Sequence, residues 1–273
     1  MKRAGDYNAA AARVSRARPR CMEKPMIDVV LLPMDLDPIQ VRRSQVVVFD
    51  VLRATSVMAT ALAAGAKEVR LFGDIDSARA ARKSAIGPAV LGGERKCVPI
   101  PGFDVGNSPA EYRTERVGGA TVLLTTTNGT VAMLAAADAS RVFAGSLLNA
   151  GATARALLPQ ITSQDTLLLC AGTEGRLAIE DVIGAGAIVW QLLEQTHSVA
   201  LPLTDGAWMA YQTFAAVRKM LPAALRLGQG GINLIEAGLE DDIDTCARLD
   251  SADVVAIAGR DASGSVRVTR GEA

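Results

Sequence analysis

The chain has 273 residues, of which 49% are hydrophobic and 21% charged, a balance typical of a globular protein with a sizeable core. Lysine plus arginine equals aspartate plus glutamate at 29 each, which excludes a general attraction to nucleic acid or to an anionic membrane surface. Cys21, Cys97, Cys170 and Cys246 form no CxxC pair, so we predict no zinc motif and a reducing, cytoplasmic location. The apolar stretches are shorter than the about 20 residues that a membrane span needs.

The first 25 residues differ in composition from the rest of the chain. Lysine and arginine outnumber the acids Asp6 and Glu23 there, and alanines fill the gaps without forming an apolar face. An arginine-rich, acid-poor start is typical of a transit peptide, but it fits a disordered extension equally well. We therefore predict a disordered N-terminal extension over residues 1–25 and a folded domain over 26–259.

Short apolar runs then alternate with helical patterns, as in a largely parallel sheet covered by helices on both faces. The predicted strands are 45–50, 69–72, 89–91, 121–125, 141–144, 166–170 and 254–258, and the predicted helices are 54–64, 76–84, 131–137, 150–158 and 178–194. The sequence thus predicts an α/β fold with three α/β/α layers and a largely parallel or mixed sheet. Its length favours two similar lobes, about 26–120 and 121–259, with the site between them. The segment 203–250 has mainly helical signals, and residues 260–273 are predicted to be a polar C-terminal tail.

The loop that follows the first of these strands is the leading candidate site. Asp50 closes an apolar run, Arg53 follows in the turn, and Thr55 and Ser56 open a helix. Ligands of open α/β sheets bind at the carboxyl ends of the strands. A carboxylate, a guanidinium and helix N-terminal amides in one loop are suited to holding a metal and a phosphate. The structural alternative is a helix cap by a hydroxyl and a local hydrogen bond by Asp50.

The segment 92–109 is a long loop punctuated by glycine and proline. Loops of this length are usually functional or disordered, and the apolar Phe103 and Val105 argue against disorder. A structural Ω-loop is the alternative. Its polar candidates are Glu94, Arg95, Lys96, Asp104, Asn107 and Ser108.

Two further loops end predicted strands with polar residues. The TTTNGT segment offers hydroxyls and backbone amides that suit an anion, although a plain helix cap has the same pattern. Its candidates are Thr127, Asn128, Gly129 and Thr130. Residues 170–181 carry Glu174 in the loop and Glu180 and Asp181 in the following helix. Neighbouring carboxylates suit Mg²⁺, or they complement the helix dipole from the surface.

Other chemistries have weaker support. His197 is the only histidine and follows a predicted helix, so we assign it no catalytic role, and the chain has no GxGxxG or Walker A string for a nucleotide cofactor. Asp35 and Asp37 mimic the opening of haloacid-dehalogenase-type phosphatases, but Pro33 interrupts the strand that this motif needs. A non-catalytic anion-binding module is the second alternative, although clustered carboxylates repel an anion unless a cation neutralises them.

Several segments, in this order and spacing, resemble the 2-phosphosulfolactate phosphatases of coenzyme M biosynthesis. They are VVVFDVLRATSVMATALAAGA, GGERK, PGFDVGNSPAEY, LTTTNGT, CAGTEG and ED, together with GINLIEAGLEDDIDTCARLD near the end. The resemblance extends over about residues 27–255. It implies Mg²⁺-dependent hydrolysis of a phosphate monoester whose substrate also carries a carboxylate and a sulfonate, with 2-phosphosulfolactate giving 3-sulfolactate and phosphate.

The residues and the resemblance together give a set of expectations for the site. We expect catalytic roles for Asp50, Arg53, Glu94 and Asp104, and Mg²⁺ ligation by some of Asp50, Glu94, Glu180 and Asp181. Substrate or phosphate binding is expected of Thr55, Ser56, Arg95, Lys96, Asn107, Ser108, Thr127, Asn128, Gly129 and Thr130. The attacking group is a water molecule or a carboxylate. The expected partner is a small phosphorylated sulfonate or carboxylate, without nucleic acid or membrane, and homo-oligomers are common among enzymes of this size.

Overall fold

The computed structural model describes residues 24–196 and 201–272. The predictions for the extension over residues 1–25 and for His197 therefore concern positions that lie almost wholly outside the described residues. Among the described helices, none combines the length and the apolar character needed to cross a membrane.

The described residues form ten strands and eleven α-helices. The strands are β1 (Ile27–Val30), β2 (Gln45–Phe49), β3 (Glu68–Leu71), β4 (Ala89–Arg95), β5 (Val98–Pro99), β6 (Thr121–Thr125), β7 (Arg141–Gly145), β8 (Thr166–Cys170), β9 (Val255–Arg260) and β10 (Val266–Gly271). The helices are α1 (Pro38–Val41), α2 (Ala54–Ala63), α3 (Ile75–Ser84), α4 (Thr114–Val117), α5 (Gly129–Ala136), α6 (Ala150–Leu157), α7 (Ile179–Gln195), α8 (Asp205–Val217), α9 (Leu221–Leu227), α10 (Gln229–Glu236) and α11 (Asp241–Cys246).

All ten strands join one mixed sheet in the order β1-β8-β2-β7-β9-β10-β3-β6-β4-β5. The strands β1, β8, β2 and β7 pair in parallel, and so do β3, β6 and β4. The antiparallel pair β9 and β10 joins these two groups, because β9 pairs with β7 and β10 pairs with β3. We call the two groups the first and the second half-sheet.

The central strand β2 is buried on both faces, as its unbroken apolar sequence predicts. Val46 and Val48 pack in one hydrophobic cluster, together with residues of α2 and α5. Val47 and Phe49 pack in a second cluster, with residues of α6, α7 and α8. Helices therefore cover both faces of the sheet, which confirms the predicted α/β/α fold.

The pairings of β7 with β9, of β9 with β10 and of β10 with β3 are all antiparallel. Three antiparallel pairings in a row mean that the two half-sheets run in opposite directions. Five steps separate β2 from β6 in the sheet. Sheet twist rotates neighbouring strands by about 20–25°, so five steps turn the strand direction by about 100–125°. A rotation of this size leaves the carboxyl ends of β2 and β6 no longer at opposite edges of the sheet. Direct contact between the loops that follow these strands is consistent with it, since a Cβ on Gly129 would lie 2.6 Å from Asp50 Oδ2.

The C-terminal prediction is wrong for residues 266–271, which form β10 in the middle of the sheet and not a tail. Val266 and Val268 are buried there while polar residues alternate with them, and this short period-two pattern is easily taken for a polar segment. The sheet also runs across the predicted lobe boundary, because β6 pairs with β3 on one side and β4 on the other. The segment 203–250 is helical, as its sequence signals predict.

Candidate active site

A cleft opens where strands of both half-sheets end. Its walls are the loops after β2, β5, β6 and β8, the β4–β5 hairpin and the start of α10. The residues that line it are Asp50, Leu52, Arg53, Glu94, Lys96, Cys97, Asn107, Thr127, Asn128, Thr173, Glu174, Gly230 and Asn233. Carboxylates, cations and amides therefore meet in one cleft.

Asp50 follows β2 directly and is 7% exposed. Its Oδ1 accepts a hydrogen bond of 3.0 Å from the N–H of Ala54 at the start of α2. Burial, and secondly the charge of Glu94, raise the pKa of Asp50 to about 6, while the N–H groups of Ala54 and Gly129 and the charge of Arg53 oppose this rise. Asp50 is thus a buried carboxyl group that ionises just below neutral pH.

Glu94 joins two walls of the cleft. Its Oε1 accepts hydrogen bonds from the N–H and the hydroxyl of Thr127, at 2.8 and 2.9 Å, and its Oε2 accepts one from the N–H of Cys97 at 2.8 Å. Gly93 allows this arrangement, because a Cβ there would lie 2.0 Å from the carbonyl oxygen of Thr125 on β6. Glu94 therefore fixes the β4–β5 hairpin against the loop after β6.

Lys96 occupies the tip of this hairpin at the mouth of the cleft. Lys96 and Cys97 have left-handed backbone conformations, with φ of 52° and 65°, so the chain turns within two residues. Lys96 is exposed, and it places an ammonium group at the cleft without a salt bridge to any described carboxylate. Burial raises the pKa of the neighbouring Cys97 thiol, which keeps it protonated and weakly nucleophilic at neutral pH.

Arg53 is the second cation of the cleft and is almost fully buried. Its Nη1 lies 2.6 Å from Asp242 Oδ2, and its Nη2 donates a longer bond of 3.4 Å to the carbonyl oxygen of Cys97. Asp242 belongs to α11, so this ion pair ties the loop after β2 to the C-terminal helices. Ser108 donates to the other oxygen of Asp242 at 2.5 Å.

Asp181, at the start of α7, holds backbone loops together. Its Oδ1 accepts from the N–H of Val51 at 2.9 Å, and its Oδ2 accepts from the N–H of Gly172 at 3.0 Å. Burial first, and then the charges of Asp50 and Glu180, raise the pKa of Asp181 well above its usual range. Both oxygens point at loop amides and not into the cleft.

Glu180, in the first turn of α7, packs against the start of α10, which forms part of the cleft wall. A Cβ on Gly230 would lie 1.9 Å from its Oε1, and a Cβ on Gly228 would lie 2.7 Å from its Oε2. Burial, and secondly the charge of Asp50, raise the pKa of Glu180 to about 7. Its Oε2 is buried without a hydrogen-bond partner among the described residues. The two glycines thus let a helix start against a buried carboxylate.

The four carboxylates from which the metal ligands are predicted do not all line the cleft. Among residues 24–196 and 201–272, no group of three or more histidine, cysteine, aspartate or glutamate side chains has the arrangement of a metal site. Asp181 accepts the N–H groups of Val51 and Gly172 away from the cleft, and Glu180 packs against Gly228 and Gly230 without lining it. Asp50 and Glu94 are the members of the predicted set that line the cleft.

The structure brings part of the predicted substrate site to the cleft. The predicted residues that line it are Asp50, Arg53, Glu94, Lys96, Asn107, Thr127 and Asn128. Asn107 is 5% exposed, and its Oδ1 is buried without a partner in the part of the chain that the structure describes. Their functional roles stay predictions.

Thr55 and Ser56 do not line the cleft, and neither does Thr130, because their hydroxyls serve the backbone. The Thr55 hydroxyl donates to the Asp50 carbonyl at 2.9 Å, and the Ser56 hydroxyl donates to the Val51 carbonyl at 2.8 Å. Thr130 exchanges hydrogen bonds with Thr126 inside the TTTNGT turn. These residues shape the loops that carry the site.

Asp104 and Arg95 are also directed elsewhere. Asp104 is exposed and accepts a hydrogen bond of 2.8 Å from the N–H of Leu91. Arg95 donates to the carbonyl oxygen of Glu94 and to the hydroxyl of Thr125. The predicted catalytic role of Asp104 and the predicted ligand contact of Arg95 therefore have no support from their positions.

Sequence reasoning missed several residues of the site. Asp242 is the buried acid in the motif GLEDDID, and Gly230 and Asn233 belong to the glycine cluster that begins α10. Thr173 and Glu174 lie in the CAGTEG loop, which was singled out for its following acids. Each of these residues lies in a motif that is visible in the sequence. A local motif does not predict, however, which residues the tertiary packing of a distant helix or loop brings to the cleft.

The haloacid-dehalogenase alternative is wrong. Asp35 and Asp37 are exposed beyond β1, which is an edge strand of the sheet, and neither lines the cleft. Asp37 caps α1, since its side chain accepts from the N–H of Ile39. That motif needs its nucleophile at the end of a central strand, and here Asp50 has that position.

Comparison with known proteins identifies the family. The family model for 2-phosphosulpholactate phosphatase matches residues 31–260. A probable 2-phosphosulfolactate phosphatase of Carboxydothermus hydrogenoformans is 40% identical over 230 residues, which cover 84% of this chain and 91% of that protein. Proteins with the same description from Thermotoga maritima and Deinococcus radiodurans are each 38% identical over 225 residues, or 82% of this chain and 92% and 91% of theirs. The cleft residues from Asp50 to Asn233 fall inside the matched region, and the chain belongs to the 2-phosphosulfolactate phosphatase family, whose reaction is the hydrolysis of a phosphoric monoester.

Proposed function

We propose that this protein is a Mg²⁺-dependent phosphatase that converts 2-phosphosulfolactate to 3-sulfolactate and phosphate. The observation that carries the proposal is the meeting of a buried, ionisable carboxyl group, Asp50, with the cations Arg53 and Lys96 in one cleft. The first cation is buried and paired with Asp242, and the second is exposed at the mouth. Such a cleft suits a small ester that carries two or more negative groups.

Arg53 is placed to bind the phosphoryl group. A guanidinium has five N–H donors in a planar fork, and the bonds to Asp242 and Cys97 engage one edge of it. Charge-assisted hydrogen bonds from the remaining donors stabilise the equatorial oxygens as charge develops on them. Asn128, which precedes α5, also lines the cleft and would supply further polar contacts to the ester.

The side chains of the cleft fit a magnesium ion. Asp50 and Glu94 repel each other, since the charge of Glu94 raises the pKa of Asp50, and a cation between them relieves that repulsion. The unpartnered amide oxygen of Asn107 is another hard oxygen donor in the same cleft. Mg²⁺ typically binds one or two carboxylates, keeps several waters and is completed by substrate phosphate, so it does not need a preformed cluster of three acids. Asp50 and Glu94 would hold it, and bound there it would neutralise the charge of the phosphoryl oxygens.

Two attacking groups are compatible with this cleft. In the first, a water oxygen bonds to phosphorus while the bond from phosphorus to the substrate oxygen breaks, and the alkoxide leaves with a proton from solvent. In the second, Asp50 attacks phosphorus and forms an acyl phosphate, which water then hydrolyses at phosphorus to release phosphate and restore the carboxylate. Turnover of an ester made chiral at phosphorus with oxygen isotopes separates the two, because one attack by water inverts the configuration at phosphorus, whereas two successive displacements through Asp50 retain it.

The second anionic group of the substrate fits Lys96. Its ammonium lies at the mouth of the cleft, while Arg95, the other cation of the GGERK segment, binds Glu94 and Thr125. A compact ammonium binds a sulfonate or a carboxylate as a point charge, without demanding planar geometry. The sulfonate of 2-phosphosulfolactate is therefore assigned to Lys96. The role of this reaction in coenzyme M biosynthesis is proposed from the family, and its location in the cytoplasm is proposed from the cysteine pattern.

The test is a phosphate-release assay with 2-phosphosulfolactate beside 2-phospholactate, phosphoglycolate and phosphoenolpyruvate. Each substrate is measured with Mg²⁺, with EDTA, and with Mg²⁺ restored after EDTA. We expect turnover that needs Mg²⁺ and is fastest with the sulfonated ester. Equal turnover in EDTA would reject the metal, and faster turnover of another ester would reject the substrate. Tight binding of the esters without phosphate release would favour the non-catalytic module.

A further inference from the structure

The buried partner of Arg53 comes from the far end of the chain. Asp242 lies on α11, 189 residues after Arg53, and the pair is 2.6 Å apart with side-chain exposures of 3% and 5%. The other oxygen of Asp242 accepts the hydroxyl of Ser108 at 2.5 Å. Both oxygens of Asp242 are thus engaged, one by Arg53 and one by the loop after β5.

Stability alone does not account well for this ion pair. Removing two charges from water is costly, and a buried ion pair is often no more stabilising than apolar residues of the same volume. The other acids around it, Glu240, Asp241 and Asp244, are exposed, so the α11 region does not bury its acids generally. A buried pair that reaches into a cleft is better explained by what it does to the geometry of Arg53.

The geometry of a guanidinium makes this effect direct. Its donors are fixed in one plane, so a bond to Asp242 at Nη1 sets where the remaining N–H groups point. The bond to Asp242 removes rotamer freedom from Arg53 before any ligand arrives. Pre-organised donors stabilise a developing charge without reorganising during the reaction.

We propose that Asp242 is a positioning residue that holds the Arg53 guanidinium in its phosphoryl-binding orientation, with Ser108 fixing Asp242 in turn. The inference rests on the proposed function, because the reaction defines what Arg53 is oriented towards. It also makes a separate statement about anion binding, since an oriented Arg53 binds inorganic phosphate, the product, better than a loose one.

The experiment compares Asp242→Asn with Asp244→Asn. Asp244 is a matched control on the same helix, because it pairs with Arg226 at 2.9 Å on the exposed side. We expect Asp242→Asn to lower kcat/KM on the order of 100-fold, mainly through kcat, and to weaken inorganic phosphate binding in calorimetry about tenfold. Asp244→Asn should stay within about twofold of wild type in both, as exposed ion pairs contribute little. An Asp242→Asn protein within about threefold of wild type in both measurements overturns the proposal.

A double-mutant cycle with Arg53→Lys separates positioning from general damage. If Asp242 acts through Arg53, Asp242→Asn should lose no more than about threefold further in the Arg53→Lys background. A full loss in both backgrounds overturns the proposal. Should Asp242→Asn fail to fold, the same cycle with Ser108→Ala decides, with a five- to tenfold loss expected only beside an intact Arg53.

The calorimetric arm keeps the two proposals distinct. If the wild-type protein releases no phosphate from any of the esters, the proposed function fails, and phosphate binding by wild type and Asp242→Asn still tests the positioning role. If the wild-type protein neither turns over an ester nor binds phosphate, both proposals fall. If it turns over an ester and Asp242→Asn matches it, only the positioning role falls.

Discussion

Replacing Asp50 by asparagine is expected to make the metal-free protein more stable while it removes activity. The asparagine Oδ1 keeps the hydrogen bond from the N–H of Ala54, and the change removes a charge that the folded protein holds at a cost. Burial and Glu94 raise the pKa of Asp50 from its ordinary value of 3.8 to about 6. A carboxyl group with a raised pKa is a group that the fold prefers to keep protonated.

The magnitude follows from the size of that shift. About two pKa units at 1.36 kcal/mol each give roughly 3 kcal/mol, and asparagine avoids this cost. The Asp50 carboxyl group binds its proton more tightly in the folded protein than in the unfolded chain. The contribution of this bound proton to the free energy of unfolding is therefore fully present below pH 3.8 and is lost as the pH rises through about 6. In the variant the N–H of Gly129 faces an NH₂ group, and this new unfavourable contact reduces the gain at pH 8 to about 2 kcal/mol. From pH 8 to pH 4 the advantage of asparagine should fall by about 2 kcal/mol.

Urea unfolding in EDTA at pH 4 and pH 8 measures this difference. Asp244→Asn is the control of opposite sign, because the hydrogen bond with Arg226 lowers the pKa of Asp244 and its loss should slightly destabilise the protein at pH 8. At pH 8, Mg²⁺ should stabilise the wild type and not Asp50→Asn, whose turnover should fall on the order of 1,000-fold. A variant that is less stable than wild type in EDTA at pH 8, or a stability gain that is the same at both pH values, would refute the reasoning.

Three further substitutions test other parts of the site. Lys96→Met should penalise 2-phosphosulfolactate by about 1.5–3 kcal/mol in kcat/KM relative to an ester without the sulfonate, and equal losses on both esters would reject the sulfonate contact. Asp181→Asn removes a charge that burial disfavours but turns an NH₂ group towards one of two loop amides, so these opposed effects should leave the fold intact. Its Mg²⁺ affinity by calorimetry should not change, and a large loss of affinity would make Asp181 a metal ligand. Gly230→Ala should destabilise the protein by about 1–3 kcal/mol in chemical denaturation, since its Cβ would lie 1.9 Å from Glu180 Oε1. Gly259→Ala, where a Cβ meets no atom within 4 Å, is its neutral control, and equal effects of the two would contradict the packing argument.

The sequence predicted the elements whose apolar pattern is long or unbroken. The strand predicted at 45–50 is Gln45–Phe49, and the helix predicted at 178–194 is Ile179–Gln195. The strand β10 was missed because two buried valines between polar residues give too short a pattern to outweigh its polar composition. The order of the strands was also beyond the sequence, since a pairing such as β10 with β3 joins segments nearly 200 residues apart.

The site was predictable where its residues lie at or beyond the carboxyl end of a strand. Asp50 follows β2 and Glu94 lies near the end of β4, and the rule that ligands bind at the carboxyl ends of strands places them together. Asp242 and Asn233 come from helices, whose approach to the cleft depends on tertiary packing. The direction of a hydroxyl is equally hidden, and for that reason Thr55 looked like a phosphate ligand although it bonds the backbone of Asp50.

The loops that follow β2 and β6 meet at Asp50, and this contact determines which polar groups of the cleft remain available to bind the substrate. The helices α2 and α5 begin on either side of Asp50, and both direct an N–H at it, from Ala54 and from Gly129. This contact needs a glycine, because a Cβ at position 129 would lie 2.5 Å from the Cβ of Ala54. Two positive helix ends explain why the pKa of so deeply buried a carboxyl group reaches only about 6, so that Asp50 is charged at neutral pH. Since the N–H groups of Ala54 and Gly129 bind Asp50, they do not form the phosphate-binding loop that the TTTNGT pattern suggests. In the proposed reaction, Arg53 and the metal ion therefore neutralise the charge of the phosphoryl group.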